Sequence, residues 1–126
     1  MPLARIDIPR GKTAAFRRLV ADVVYESMLD TLKVPPHDRF QVIAEHDAQD
    51  LLLDSRYLGI RRSSSCIIVQ VTLNVGRSVE QKQAFYRALA DGLHERAGLR
   101  REDVLISLIE VAKENWSFGN GEAQYA

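Results

Sequence analysis

The sequence has little of what marks secreted, membrane-spanning or nucleic-acid-binding chains. Its 126 residues include one cysteine, so no disulfide can form within the chain. The 17 basic and 17 acidic side chains cancel, which removes the positive surface needed to bind a phosphate backbone. No apolar run approaches the roughly 20 residues of a membrane span, and no basic-then-apolar leader opens the chain. We therefore expect a cytoplasmic protein with no nucleic-acid and no membrane partner.

The composition that remains is typical of one globular domain, with 46% hydrophobic and 27% charged residues. The single cysteine, Cys66, opens the apolar run 66–69, so we interpret it as a small buried thiol and not as a reactive one. The histidines His37, His46 and His94 are not spaced as metal ligands, and we predict no metal site.

The chain contains a repeat. Residues 6–45 align with residues 71–110 without a gap, and the matches fall at the turn before each helix and around each second strand. The glycine and polar pairs are Gly11–Gly76, Lys12–Arg77, Thr13–Ser78, Asp38–Asp103 and Glu45–Glu110. We therefore predict a single domain over residues 1–126, with units at about 2–47 and 66–111 and a C-terminal segment at 112–126.

Each unit has the pattern of strand, helix, strand. Thr13 and Ser78 are favourable N-caps for the two helices, and Gln81 stands at capping-box spacing from Ser78. The first helix should end near Lys33, because two prolines follow, and the second near Gly98, which suits a helix C-terminus. The second strands are predicted at 40–45 and 104–111.

These units predict an α/β fold made of a tandem β-α-β repeat. A helix that joins two strands of one sheet forms a right-handed parallel crossover, so the domain should be a four-stranded sheet with two helices on one face. The opposite face is then uncovered, which predicts a homo-oligomer in which the segment after Ala112 reaches a neighbour. The connection 48–65 has no clear period, and long loops of this kind often form the wall or lid of a site.

Pro2 is a candidate for chemistry at the amino terminus. Proline at position 2 favours removal of Met1, which would leave Pro2 with a free secondary amine. An α-amino group has a pKa of about 8, and a buried pocket or a nearby charge shifts that pKa. Taken alone, Pro2 is more simply interpreted as an inert processed terminus.

Pro2 does not stand alone, because four blocks of the sequence occur together. They are Pro2-Leu3, the run Val34-Pro35-Pro36-His37-Asp38-Arg39-Phe40-Gln41, Gly76-Arg77-Ser78, and Asn115-Trp116-Ser117-Phe118-Gly119-Asn120-Gly121. In order and spacing these blocks resemble the tautomerase superfamily, and within it most closely the malonate semialdehyde decarboxylases. The resemblance covers essentially the whole chain and implies two β-α-β units assembled as a homotrimer.

The resemblance also implies roles for individual residues. It makes Pro2 the catalytic amine, Asp38 the catalytic carboxylate beside it, and Arg77 both a catalytic residue and the group that binds the substrate carboxylate. Trp116 and Phe118 match the aromatic residues that line the substrate pocket. The implied reaction is the decarboxylation of malonate semialdehyde (3-oxopropanoate) or a similar 3-oxo acid to an aldehyde and CO2, without a metal ion or organic cofactor.

The chain departs from the family pattern at one point. Many members carry two arginines in the turn after the third strand, whereas Asn74 and Val75 precede Gly76 here. Either Arg77 suffices by itself, or Arg61 or Arg62 of the long connection assists it.

Several alternatives stay open at this level. A keto–enol tautomerase, or a hydratase or dehalogenase, would use the same amine as a base or water activator. A non-catalytic binding module would use the uncovered sheet instead, with Arg77 as a solvated cation and the two aromatic residues as packing anchors. Asp38 is also explained as a turn residue, since its repeat partner Asp103 occupies the same place before a strand.

Overall fold

A computed structural model describes residues 2–126. The regular elements are β1 (Leu3–Pro9), α1 (Ala14–Leu32), β2 (Phe40–His46), β3 (Ile67–Asn74), α2 (Val79–Ala97) and β4 (Val104–Val111). Short 3-10 turns lie at Ala48–Asp50, Tyr57–Gly59, Arg101–Asp103 and Lys113–Asn115. The two strand–helix–strand units predicted from the sequence are therefore present in the structure.

The four strands form one mixed sheet in the order β2-β1-β3-β4. β1 is parallel to β2, β3 is parallel to β4, and the two central strands β1 and β3 are antiparallel. Both helices pack on the same face of this sheet, as the repeat predicted. This arrangement places the amino end of β1 beside the carboxyl end of β3.

The helix ends follow from local chemistry. The Thr13 hydroxyl accepts a hydrogen bond from the backbone of α1, and Ser78 and Gln81 form the predicted capping box at the start of α2. Lys33 and Gly98 end the two helices in the left-handed conformation. These predictions of the helix boundaries are confirmed.

The core lies between the helices and one face of the sheet. Alternate residues of the central strands point into it, with Ile6 of β1 opposite Val69 of β3. From α2, the side chains of Phe85, Leu89 and Leu93 are fully buried against this layer. Burial of apolar surface here supplies most of the driving force for the fold.

Over residues 2–126, no helix or second sheet covers the opposite face of the sheet. Phe40 is 47% exposed, and Val42 and Ile109 are each 41% exposed. Exposed apolar side chains on one sheet face mark a surface that associates with protein. Among the described residues, neither helix is long and apolar enough to cross a bilayer.

The connection 48–65 lies at the end of the sheet remote from Pro2. Its Arg62 guanidinium donates to the backbone carbonyls of Asp54, Tyr57 and Ile60, which folds the loop around that side chain. The carbonyl of Arg61 accepts a hydrogen bond from Arg100, next to the start of β4. The length of β1 separates this loop from Pro2, because the seven residues of the strand span about 20 Å at roughly 3.3 Å each. The expectation that this loop walls the Pro2 site, or lends it an arginine, is therefore wrong within one subunit.

Candidate active site

The topology gathers the predicted site residues at the amino end of β1. Leu3 pairs with Phe40, the first residue of β2, and with Thr72 near the end of β3. Pro2 therefore lies between the segment that leads into β2, which carries Asp38, and the turn that follows β3, which carries Arg77. These segments are far apart in sequence and meet only because β1 is the strand between β2 and β3.

Pro2 is buried at one end of an aromatic cavity of about 250 Å³. The cavity is lined by Pro2, Leu3, Phe40, Trp116, Ser117 and Phe118. The Trp116 and Phe118 rings are stacked with their centroids 5.4 Å apart, and Phe40 lies 6.5 Å from Phe118. The predicted grouping of Pro2 with the two aromatic residues of the C-terminal block therefore occurs in the structure.

Arg77 lies next to this cavity but is not part of its lining. It belongs to an adjacent open cleft together with Leu32, Gly76 and other residues of the two turns. The guanidinium donates through Nε to the Leu32 carbonyl at 3.1 Å and through one terminal nitrogen to the Asn74 carbonyl at 3.4 Å. The remaining N–H groups of the guanidinium donate to no acceptor in the described part of the chain.

Asn74 connects the aromatic cavity to the arginine. Its side-chain oxygen accepts a hydrogen bond of 2.7 Å from the indole nitrogen of Trp116, while its backbone oxygen is the one that Arg77 contacts. The residue is 8% exposed. Asn74, which the sequence analysis noted only as a departure from the family pattern, therefore contacts one residue of each cavity.

Asp38 is 7% exposed, and its burial raises the pKa of its carboxyl group above the ordinary value for aspartate. The positive charges of the amino terminus and of Arg77 act on the same carboxyl and lower its pKa. Both cations are thus close enough to Asp38 to affect its ionisation. Removal of Met1, on which a free Pro2 amine depends, concerns a residue outside the described range.

Asp103, the repeat partner of Asp38, has a structural role. Asp103 is 1% exposed and accepts hydrogen bonds from the backbone nitrogen of Ser63 at 2.7 Å and from its hydroxyl at 2.5 Å. It therefore anchors the end of the long connection. The structural role considered for Asp38, that of a turn residue before a strand, therefore fits its repeat partner Asp103.

The repeat creates a second, pseudo-equivalent end of the sheet that lacks the reactive group. There Lys12 stands in the place of Arg77, and Asp103 in the place of Asp38. The position equivalent to Pro2 is Ile67, the first residue of β3, whose nitrogen is part of a peptide bond. A free amine can form at only one of the two ends, so the arrangement of residues supports one amine-dependent site per chain.

Sequence reasoning missed Phe40 and Tyr125 as members of the aromatic cluster. Phe40 begins β2 on the uncovered face, and the Tyr125 ring meets Phe118 edge to face at a centroid distance of 5.0 Å. The alternation of side chains along β2 would have placed Phe40 on this face. Tyr125 lies in an irregular tail, where no periodicity predicts its position.

Comparisons with known proteins agree with this geometry. One tautomerase enzyme family model matches residues 38–119 and another matches residues 2–61. The probable tautomerase YusQ of Bacillus subtilis is 36% identical over 124 residues, which is 98% of each chain.

Solved structures show the same likeness in three dimensions. The crystal structure of FG41 malonate semialdehyde decarboxylase inhibited by 3-bromopropiolate has a TM-score of 0.91 and 37% identity, covering 98% of this chain and 93% of the other. A malonate semialdehyde decarboxylase described with decarboxylase and hydratase activities has a TM-score of 0.91 and 33% identity, with 98% and 95% coverage. Fused 4-OT, solved as a symmetric trimer, shares the fold alone, with a TM-score of 0.80, 22% identity and 98% and 97% coverage. With a matching family model, relatives above 30% identity over nearly the whole chain, and the same fold, this protein belongs to the tautomerase family.

Proposed function

We propose that this protein decarboxylates malonate semialdehyde, or a close 3-oxo acid, to an aldehyde and CO2 by means of an amino-terminal Pro2. One observation carries the proposal: Pro2 is buried at an aromatic cavity, and the charge of Arg77 in the adjacent cleft acts on the buried carboxyl of Asp38. The likeness to two malonate semialdehyde decarboxylases over nearly the whole chain supports the choice of substrate class.

The chemistry of a 3-oxo acid explains why a cationic amine is useful. Loss of CO2 leaves the bonding electrons on the central carbon, from which they are delocalised as an enolate onto the aldehyde oxygen. A protonated Pro2 lowers the barrier by donating a hydrogen bond to that oxygen as its charge develops. Alternatively, neutral Pro2 condenses with the aldehyde, releases water and forms an iminium ion that accepts the electrons. In both routes the central carbon then takes up a proton, and hydrolysis completes the iminium route.

Asp38 is proposed to keep the amine protonated. A carboxylate stabilises a nearby ammonium ion by charge attraction and so raises the amine pKa. Burial raises the pKa of the Asp38 carboxyl, and the charge of the amino terminus, which Met1 carries until it is removed, lowers that pKa. A charge at this end of the chain therefore acts on Asp38, and a Pro2 amine is proposed to do the same. A protonated amine at neutral pH suits decarboxylation or hydration better than base catalysis.

Arg77 is proposed to bind the substrate carboxylate. Its guanidinium keeps N–H groups beyond those that contact Leu32 and Asn74, and a planar guanidinium pairs with a carboxylate through two parallel hydrogen bonds. Holding the carboxylate out of the plane of the carbonyl aligns the breaking bond with the developing enolate. The stacked Trp116 and Phe118 exclude water, which strengthens these charge interactions.

The protein is proposed to act as a homotrimer. The uncovered sheet face exposes Phe40, Val42 and Ile109, and association would remove this apolar surface from water. Fused 4-OT, which shares the fold, forms a symmetric trimer. Analytical ultracentrifugation tests this directly, and a monomeric mass at micromolar concentration would refute it.

Keto–enol tautomerisation of a 2-oxo acid is the second candidate, because the probable tautomerase YusQ is as similar to this chain in sequence as the decarboxylases are. A tautomerase uses neutral Pro2 as a base, so it requires an amine pKa well below 7. Titrating Pro2 by NMR separates the two candidates: a low pKa favours the tautomerase and a high one the decarboxylase. Hydratase activity is compatible with the high value.

The decisive experiment measures aldehyde release from malonate semialdehyde by the wild type, Pro2→Ala and Arg77→Ala. Both variants should lose at least about 100-fold in kcat/KM, the scale of losing a charged contact to the reacting group. Lys12→Ala is the matched control, because Lys12 is the repeat partner of Arg77 at the remote end of the sheet. Intact mass must show that Met1 is absent. Wild-type turnover in Pro2→Ala, or retained Met1 in active protein, would overturn the proposal.

A further inference from the structure

The end of the sheet remote from Pro2 has a cavity of its own, which we call the remote cavity. Its volume of about 240 Å³ is close to that of the aromatic cavity at Pro2, about 250 Å³. Its lining combines two leucines and three serines with Arg62 and the thiol of Cys66. The reaction proposed at Pro2 gives this cavity no role.

The internal repeat relates the remote cavity to the aromatic one. The alignment of the two units continues without a gap past β2 and β4, and it pairs the 3-10 turn after β2 with the 3-10 turn after β4. The backbone nitrogen of Arg10 donates to the carbonyl of His46 at 2.7 Å, and its repeat partner Val75 donates to Val111 at 3.1 Å. The chain therefore leaves the second strand along the same path in both units.

The aromatic pair of the Pro2 cavity has a counterpart on this path. The alignment pairs Leu51 with Trp116 and Leu53 with Phe118. All four side chains are half-buried, and the residue between the members of each pair is exposed. The leucines line the remote cavity as the rings line the aromatic cavity. The remote cavity is therefore the repeat counterpart of the aromatic cavity, with an aliphatic wall in place of the rings.

The two cavities differ in the group that could react. Cys66 precedes Ile67, the repeat partner of Pro2, so a thiol lines the remote cavity where the other cavity has its candidate amine. Burial raises the pKa of this thiol, and the charge of Arg62 has a smaller, opposite effect on that pKa. A neutral buried thiol is neither a base nor an active nucleophile at neutral pH. The remote cavity is therefore suited to binding and not to catalysis.

Arg62 gives the remote cavity its charge. It is the one charged residue of the lining, and within residues 2–126 no carboxylate lies at ion-pair distance from it. Its contacts with the carbonyls of Asp54, Tyr57 and Ile60, at 3.2–3.4 Å, all come from Nη1. The other N–H groups of the guanidinium donate to no acceptor in the same stretch of chain. A positively charged cavity with an aliphatic wall fits an anion that carries a short hydrocarbon chain.

We infer that the remote cavity is a second, non-catalytic binding site for a small saturated monocarboxylate. The carboxylate pairs with the N–H groups of Arg62 that have no other acceptor, and the alkyl chain packs against Leu51 and Leu53. The inference does not depend on the reaction at Pro2, because the two cavities have no lining residue in common.

An NMR titration can locate the binding. The probe is butanoate, a carboxylate on a saturated chain with no ketone or aldehyde for Pro2 to act on, and butanamide is its neutral analogue. The Arg77→Ala background removes the cation proposed to bind carboxylates near Pro2. Butanoate should shift the methyl signals of Leu51 and Leu53 with a dissociation constant in roughly the millimolar range, and butanamide should bind at least about tenfold more weakly. The indole N–H signal of Trp116, the sole tryptophan, should stay in place.

Two variants test the residues involved. Arg62→Met removes the charge and should weaken butanoate binding about tenfold or more, the usual range for a hydrogen bond to a charged group. Because this variant also loses the contacts that fold the loop, Ala48→Leu provides an independent test. Ala48 lines the remote cavity, and a leucine there fills space while Arg62 is kept. It should weaken butanoate binding by at least about fivefold, and Ala15→Leu, the same change at an exposed position of α1, should leave binding unchanged.

The outcomes separate this inference from its rivals. Equal affinity for butanoate in the parent protein and in Ala48→Leu overturns it, and so does equal affinity for butanoate and butanamide. If a neighbouring subunit fills the remote cavity, butanoate leaves both leucine signals unmoved, which overturns it as well. Ala48→Leu in the wild-type background should still release aldehyde at the wild-type rate. Binding of butanoate by a protein that releases no aldehyde would keep this inference and refute only the proposed function.

Discussion

The packing of α1 against α2 at Gly92 decides whether Gly92→Ala raises or lowers the free energy of unfolding. Gly92 is inside α2, where alanine is normally favoured over glycine by about 1 kcal/mol. A methyl group built at Gly92 would lie 2.8 Å from the Cγ1 atom of Val23 in α1. Val23 is 2% exposed, and a β-branched side chain in a helix has essentially one rotamer, so it cannot turn aside.

Two opposing magnitudes decide the outcome for Gly92→Ala. Overpacking of a buried site costs about 1–3 kcal/mol, which exceeds the gain in helix propensity of about 1 kcal/mol. We expect a net loss of about 1 kcal/mol in the free energy of unfolding. In a Val23→Ala background the obstructing methyl groups are gone, and Gly92→Ala should then stabilise by about 1 kcal/mol.

The assay is equilibrium unfolding in urea at one fixed protein concentration, followed by Trp116 fluorescence and by circular dichroism. The double-mutant cycle should give a coupling energy of about 2 kcal/mol, well above the few tenths expected of independent sites. If Gly92→Ala stabilises the wild-type background, the two helices can move apart at this point. The close approach inferred here would then be refuted.

Three further predictions concern buried groups. Asp103→Ala should destabilise by about 3 kcal/mol, because it leaves the Ser63 donors without their acceptor, whereas Glu102→Ala on the exposed neighbour should cost under about 0.5 kcal/mol in the same urea assay. Burial raises the pKa of Asp38, so the folded state binds the proton more tightly and stability falls as pH rises from the unfolded pKa through the folded pKa. Asp38→Asn should remove that fall. If the free energy of unfolding of the variant depended on pH between 3 and 7 in the same way as that of the wild type, this prediction would be contradicted. Burial also raises the pKa of the Cys66 thiol, so iodoacetamide labelling at pH 8 should be slow in native protein and fast in urea, and rapid native labelling would show that the residue is accessible.

The predictions from sequence were best where the cause is local. A hydroxyl before a helix, a glycine after it and the spacing of apolar residues act over a few neighbours, so the boundaries of both helices and of β4 followed from the sequence. The connection 48–65 lacked any such signal. Its fold around Arg62 depends on three carbonyls that no local rule brings together, and the sequence therefore gave no warning that it lies remote from Pro2.

The same distinction between local and long-range causes applies to the candidate site. The sequence by itself determined the chemical groups available: a proline next to the initiator methionine, one arginine in the turn after β3, and an aromatic pair near the C-terminus. Only the tertiary structure decided that Asn74 lies between the aromatic wall and Arg77, because its contact with Trp116 joins residues 42 positions apart. A hydrogen bond across such a distance depends on sheet register and on the path of the tail, and both are set when the whole domain packs.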